Sequence, residues 1–590
     1  MPTKSTMKRA KVACSNCHRR KIRCDLTVHG NPCTNCRLDD TTCLVTSREK
    51  CGPRRKRGAT ILGTAPSEVQ PADIVLKGSF DGQLPGEQEE IQESILNTPR
   101  SSLLIPNNLP SYIKRPSTML DIIDLQYLQG TDALNVPTGI LRDELLKSYI
   151  RFVHPHMPIV DLANFVQAVK GSESICASDQ LSLLLFQAVM FAGSLFIDLK
   201  YLLAAGYCSR KVARDHFFHR AQSLYRMQYE SKATAVVQSL LLMLSQYEVS
   251  ESWEQATVSI GICYSLAIKL GLHREDSKLS ASHTSSYHFL RRRLWWSLVM
   301  QDTIVSLQTG LPPIICSNTY NVRLPQLGDF KFDIFSTQSE YFTILDAAQR
   351  REMALIFIEK VKLCQALNEE QTVWLTSPVN TTHMPHLQPT ADSYNSADLY
   401  NNVRRLEMWR KGQARETVYK SLTASGRVQS PWEIVVACHR ATLHLMHFLS
   451  LCQAYGLPKI RNLHHNLSPT TRYYQTLNDG AGTLISILIE LYRLDSLNRL
   501  PYLLLNAVFN AGFSRLGSLW NTTSLDDRLR SFRDINVCLR IFRSLQDDYD
   551  GVDHLRCLLD SLTQKSVALA SFPAWNGEEV ISAIANQGTF

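Results

Sequence analysis

The chain lacks the signatures that would make it a familiar enzyme. No Gly-x-Gly-x-x-Gly fingerprint, no phosphate-binding loop and no His-Glu-x-x-His occurs, so the usual marks of dinucleotide enzymes, P-loop NTPases and zinc proteases are missing. Gly512-Phe513-Ser514-Arg515-Leu516-Gly517 approaches the Gly-x-Ser-x-Gly nucleophile elbow but is one residue too long. The start, Met1-Pro2-Thr3-Lys4-Ser5-Thr6-Met7-Lys8, has no apolar run of the secretory kind. The least charged stretch, Leu181 to Ile197, falls short of the roughly twenty residues that cross a bilayer and reads as a buried core helix. Neither catalysis nor membrane insertion is expected.

What is present begins with six cysteines: Cys14, Cys17, Cys24, Cys33, Cys36 and Cys43. The spacing C-x2-C-x6-C occurs twice, and the second triplet repeats the first. With no secretory signal, clustered C-x2-C pairs are expected to be metal ligands rather than disulfides. Zinc takes four thiolates in a tetrahedron, so six cysteines complete two sites only if two sulfurs bridge both metals. Near two-fold repetition gives the bridges equal rank in each half: Cys14 with Cys33, Cys17 with Cys36, or Cys24 with Cys43. Spacing leaves all three open.

Charge is concentrated beside the cysteines. Residues 1–60 carry fifteen Lys and Arg against four acidic residues, or +11, which leaves −2 on the remainder of a chain whose total is +9. A local basic footprint on a near-neutral body is expected of a module that grips phosphates.

The run Ala13-Cys14-Ser15-Asn16-Cys17-His18-Arg19-Arg20-Lys21-Ile22-Arg23-Cys24-Asp25, with Asn31-Pro32-Cys33-Thr34-Asn35-Cys36, resembles the fungal binuclear zinc cluster (Zn2Cys6) transcription factors. The resemblance implies two zinc ions per chain, bridged by Cys14 and Cys33. It also implies a short helix after each Cys-x2-Cys, the first entering the DNA major groove. By the same resemblance Lys21 reads CGG-like triplets, with Arg20 next in rank. A cation reaching guanine O6 and N7 contributes about 1–3 kcal/mol. Arg19 and Arg23 are expected on phosphates, and His18 belongs to the same DNA-facing run. Arg54-Arg55-Lys56-Arg57 is a nuclear-import candidate.

Four segments are expected: residues 1–47 as the DNA-binding domain, with the cluster at 14–43; residues 48–138 as a basic, Pro-rich flexible linker by composition; residues 139–335, set off by a second resemblance described below; and residues 336–590 as a C-terminal helical regulatory/effector region. The linker holds no sustained heptads, so a homodimer through a coiled coil lacks support. Beyond it, apolar residues recur at helical spacing, as in Leu141, Leu145, Leu146, Tyr149, Ile150 and Val153, or Val236, Leu240, Leu241, Met243 and Leu244. The body is expected to be all-α.

Within it, Ala267-Ile268-Lys269-Leu270-Gly271-Leu272-His273-Arg274-Glu275 precedes Arg291-Arg292-Arg293-Leu294-Trp295-Trp296. Asp302, Ser306, Gly310, Pro312-Pro313 and Val322-Arg323-Leu324-Pro325 follow. With the opening segment Phe152-Val153-His154-Pro155-His156-Met157-Pro158-Ile159-Val160-Asp161, this resembles the fungal-specific transcription factor domain, or middle homology region. Arg323 departs from the acidic residue usual there. The tryptophans are expected to pack in the core while the arginines pair with Asp302 or cap neighbouring helices; a partner-binding tip is the other reading. Cys438, His439, His444 and His447 are expected to be core residues before metal ligands.

The function expected is therefore a nuclear, sequence-specific RNA polymerase II transcription factor of the cutinase and fatty-acid or secondary-metabolite regulator type. Coactivators and a small-molecule effector are implied partners. Activation is preferred over repression, on the family's habit and on the acidic and aromatic tail Phe572–Val580. The alternative is a zinc-dependent RNA-binding or scaffold protein.

Overall fold

The computed structural model describes residues 33–38, 109–115, 121–170, 180–250, 252–275, 286–330, 346–376, 396–423, 430–454, 471–521 and 524–570. Two compact units result, Met1–Pro99 and Arg100–Phe590.

In the first unit the described element is α1 (Thr34–Leu38). It begins inside the second Cys-x2-Cys rather than after it, because the Arg37 N–H already bonds the Cys33 carbonyl at 3.0 Å.

The second unit is helical. It opens with α2 (Ile122–Gly130), α3 (Gly139–Ser148), α4 (Leu162–Lys170), α5 (Leu183–Ser194) and α6 (Leu199–Ala204). The middle comprises α7 (Arg210–Arg226), α8 (Ala233–Val249), α9 (Trp253–Lys269), α10 (Ser286–Thr309), α11 (Ala347–Thr376) and α12 (Ser396–Gly412). It closes with α13 (Pro431–Ala454), α14 (Thr471–Arg493), α15 (Leu503–Asn521), α16 (Leu525–Ser544) and α17 (Val552–Ala570). Among the described residues the β component is a single parallel bridge, Ile113 to Leu181.

Local chemistry sets several helix starts. Ser182, Ser209 and Ser524 each accept a hydrogen bond from the N–H three residues on, satisfying a donor that the first turn leaves unpaired. Helix α5 is apolar on every side and all twelve of its residues are buried, as expected of the Leu181–Ile197 stretch. A Cβ at Gly193 would collide with the Leu145 carbonyl, so glycine is what lets α3 and α5 touch. A π turn, Tyr149–Val153, prolongs α3 and turns Phe152 and Val153 inward.

One hydrophobic core runs without interruption from Tyr112 to Leu559. It crosses residue 335 and starts well before residue 139. Tyr112, Ile113, Leu125, Leu128 and Ala133 are buried, so part of the segment read as linker belongs to the body. These pieces are too short, and too broken by Pro110, Pro116 and Pro137, to carry a helical period in sequence. The rest of residues 48–138 lies outside the described residues.

Candidate functional site

In the zinc module, Cys33 and Cys36 are 0% and 2% exposed and stand one helical turn apart. Two buried thiols at that spacing form a donor set suited to a thiophilic ion. The residues present fit zinc. Bound there, zinc would supply folding energy rather than reactivity. Cys14, Cys17, Cys24 and Cys43, the run His18–Arg23 and Arg54–Arg57 lie outside the described residues.

In the body, the second motif closes on Glu275. Its carboxylate takes the Arg292 guanidinium at 2.5 Å, the Arg323 guanidinium at 3.0 Å and the Arg323 backbone N–H at 2.8 Å. Burial alone would raise this carboxyl, but the Arg323 N–H and the Arg292 guanidinium outweigh it and hold the group below its ordinary value. Arg292, 3% exposed, also pairs with buried Asp329. The unusual Arg323 is thus a partner of Glu275, and an acidic side chain there would face like charge. Arg291 caps α9, donating to the Leu270 and Gly271 carbonyls at 3.0 and 2.9 Å. Gly271 itself sits at φ +68°, a left-handed conformation that favours glycine. Arg293 lies over the Phe330 ring.

Trp295 and Trp296 are buried, and the Trp296 indole donates to the Arg323 carbonyl at 2.8 Å. Asp302 accepts the Ile314 and Ile315 N–H groups, fixing the turn after Pro312-Pro313 instead of pairing with an arginine. Arg292→Met should leave Asp329 buried without its partner and cost about 3–5 kcal/mol. Chemical denaturation of the body would measure that loss, and a change below about 1 kcal/mol would contradict the role given to Arg292.

The histidines of α13 serve packing. His439 bonds the Arg151 carbonyl at 2.8 Å, His447 lies against the Trp409 ring and His444 meets Tyr419 edge-on. Among the described residues no three His, Cys, Asp or Glu side chains are grouped to hold a metal. Gly512–Gly517 lies within helix α15, not on a strand-to-helix turn.

A cavity, which no motif announced, opens between the π turn, α7, α8, α10, α13 and the segments 498–503 and 548–549. It encloses about 950 Å³, mouth included. Arg214 is 2% exposed and gives one N–H to the Asp548 carbonyl at 2.9 Å. Arg210 pairs with the Asp548 carboxylate at 3.3 Å. Burial pushes the Glu248 carboxyl up to about 7. Behind one wall, Lys360 is fully buried with its amine 3.1 Å from His156 Nδ1, and burial brings it down to about 7. Periodicity could have found two of these groups. Arg214 shares a face with Phe217 and Ala221, and Glu248 shares one with Leu241 and Leu244.

With the geometry in place, two family matches and several relatives bear on it. Residues 146–464 match the fungal specific transcription factor domain, and residues 12–51 match the fungal Zn(2)-Cys(6) binuclear cluster domain. The chain is similar to cutinase transcription factor 1 beta of Fusarium vanettenii, 27% identical over 96% of this chain and 74% of that protein. It is also similar to transcription factor cpaR of Aspergillus oryzae, 29% identical over 75% of this chain and 77% of that one. Fusaric acid cluster transcription factor FUB12 of Gibberella fujikuroi is 22% identical over 49% of this chain and 51% of its own length.

Proposed function

This chain belongs to the fungal specific transcription factor family, and from that premise we propose that it reads CGG-like triplets and activates a metabolic or secondary-metabolite gene cluster in the nucleus. Membership makes it a DNA-binding regulator of transcription, not an enzyme, and its binuclear cluster binds two zinc ions through cysteines. The proposal adds the ligand set Cys14, Cys17, Cys24, Cys33, Cys36 and Cys43, with Cys14 and Cys33 as bridges. Lys21 and Arg20 read bases, Arg19 and Arg23 hold phosphates, and His18 flanks them. Arg54–Arg57 direct nuclear import. Residues 1–47 bind DNA, and the segment from residue 48 to the start of the body's core at Tyr112 tethers them to the body. Within the body, 139–335 and 336–590 serve as one effector-sensing and coactivator-facing unit, a reading supported by their shared core. The cutinase and fusaric acid cluster names of two relatives support the class of target.

The observation that carries this reading is the doubled C-x2-C-x6-C spacing enclosing a basic run, within the 12–51 match. Fluorescence anisotropy at one fixed salt, with a CGG duplex, a scrambled duplex and single-stranded RNA, tests it. Lys21→Ala should weaken the CGG duplex by roughly 5- to 150-fold and leave the scrambled duplex nearly unchanged. Full sequence preference in that variant would remove Lys21 from the readout, and tighter binding of the RNA would overturn the assignment to duplex DNA.

A further inference from the structure

We propose that the cavity between α7, α8, α10 and α13 binds a small organic acid that has an apolar or aromatic body and carries a hydroxyl or N–H donor. The inference rests on the reading of the body as an effector-sensing domain and names the chemistry of that effector.

The acid is asked for by Arg214. Its guanidinium is almost wholly removed from water, yet Nε and Nη2 have no hydrogen-bond partner. Asp215 Oδ1 lies 3.7 Å from Nε, beyond hydrogen bonding, and Nη1 is given to a neutral carbonyl. The one carboxylate in the cavity wall with a cationic partner, Asp548, is engaged by Arg210. Asp215 offsets the charge at that distance but leaves two buried N–H groups without acceptors, and a bound carboxylate accepting two parallel N–H bonds relieves them. Arg499 adds a second cation at the rim, stacked over the Phe152 ring.

The donor is asked for by two amides. Gln301 and Asn498 both line the cavity, and their side-chain oxygens Oε1 and Oδ1 are buried and accept nothing. Only a ligand O–H or N–H, or water, can satisfy them. The rest of the wall combines the rings of Phe152, Phe196, Tyr502 and Tyr549 with a few polar groups, among them Glu248, His439 and Thr442. A second groove, lined by Arg151, Asp198, Tyr201 and Trp432, shares Phe152, Phe196 and Arg499 with the cavity.

Calorimetric titration of the full-length, zinc-loaded chain tests the assignment, with phloretic acid, methyl phloretate and hydrocinnamic acid as probes. Phloretic acid should bind saturably, and both the ester and the acid without its hydroxyl should bind more weakly. Arg214→Met should weaken phloretic acid at least about tenfold and remove the distinction between acid and ester. Arg214→Lys keeps the charge without the fork and should fall between. Ile304→Trp fills the cavity without touching a charge and should abolish uptake. Thermal unfolding establishes that each variant is folded. No binding of phloretic acid by the wild-type chain at about 10 mM, an ester that binds as well as the acid, or a folded Arg214→Met chain of wild-type affinity would each overturn the proposal. Binding of the CGG duplex is measured in the same samples. A chain that takes up the acid but ignores the duplex would sink the proposed function and leave the cavity standing, and the converse result would sink only the cavity.

Discussion

Cys33→Ser is expected to abolish specific DNA binding while leaving the helical body folded. Structural zinc contributes on the order of 10 kcal/mol or more to small thiolate modules, so loss of one proposed bridging ligand removes most of what folds the module. Specific affinity should then fall toward the non-specific level, a drop of at least about a thousandfold. Zinc analysis should show close to two ions per wild-type chain and fewer than one in the variant. The body has an extensive hydrophobic core of its own, so its melting transition should be unchanged. A variant that retained two zinc ions and wild-type binding would disprove the bridged cluster. One ion per wild-type chain would disprove it as well.

Acidification is expected to unfold the body well before ordinary acid denaturation. Burial lowers His439 and His447 to about 3, lowers His154 and His444 to about 4, and takes His156 well below its ordinary value. Each of these protonates in the unfolded chain near pH 6.5 and in the folded chain only far lower. Their contribution to stability is therefore complete above pH 6.5 and is lost as the pH falls toward those values. Two carboxyls act in the opposite sense. Glu248 and Asp302 are raised to about 7 and about 6, chiefly by burial, so between their unfolded values and these pH values they stabilise the fold increasingly as the pH drops.

Five histidines against two carboxyls leave three protons of net slope, about 4 kcal/mol per pH unit, which the partial exposure of four of the rings trims to about 2–3. A domain with about 5–15 kcal/mol of stability exhausts it within a few pH units below 6.5. Circular dichroism across pH 7.5 to 4 should show cooperative loss of helix, and His447→Phe, which keeps a ring against Trp409, should move the midpoint to lower pH. A body as stable at pH 4.5 as at pH 7 would show that these rings are hydrated.

The sequence made much of the fold legible, and the reasons differ by element. Leu183–Ser194 was readable because a helix with no polar face has only a core to go to. Trp295 and Trp296 were readable from size, and Arg291 from its place after a helix that ends in Leu-Gly. The partners of Arg292 were not readable. Glu275 lies in the loop before α10 and Asp329 in a 3-10 turn after it, and only folding brings three such groups together. Asp302 was matched with arginine on charge, whereas the turn after Pro312-Pro313 offered it two N–H donors. The zinc cluster domain shows the reverse case, since the repeated spacing of six cysteines marks it without any structure.

The cavity has the least sequence signature of all, because eight separate pieces of chain combine to line it. That dispersal has a consequence for how the protein can be cut or exchanged. Asn498, Arg499, Tyr502, Asp548 and Tyr549 all lie beyond residue 464, where the family match stops. A fragment trimmed to the recognisable domain would lose one side of the cavity and the bottom of the core together. Exchange of the last hundred or so residues between relatives would move part of the ligand site with them, although no motif in that region signals it.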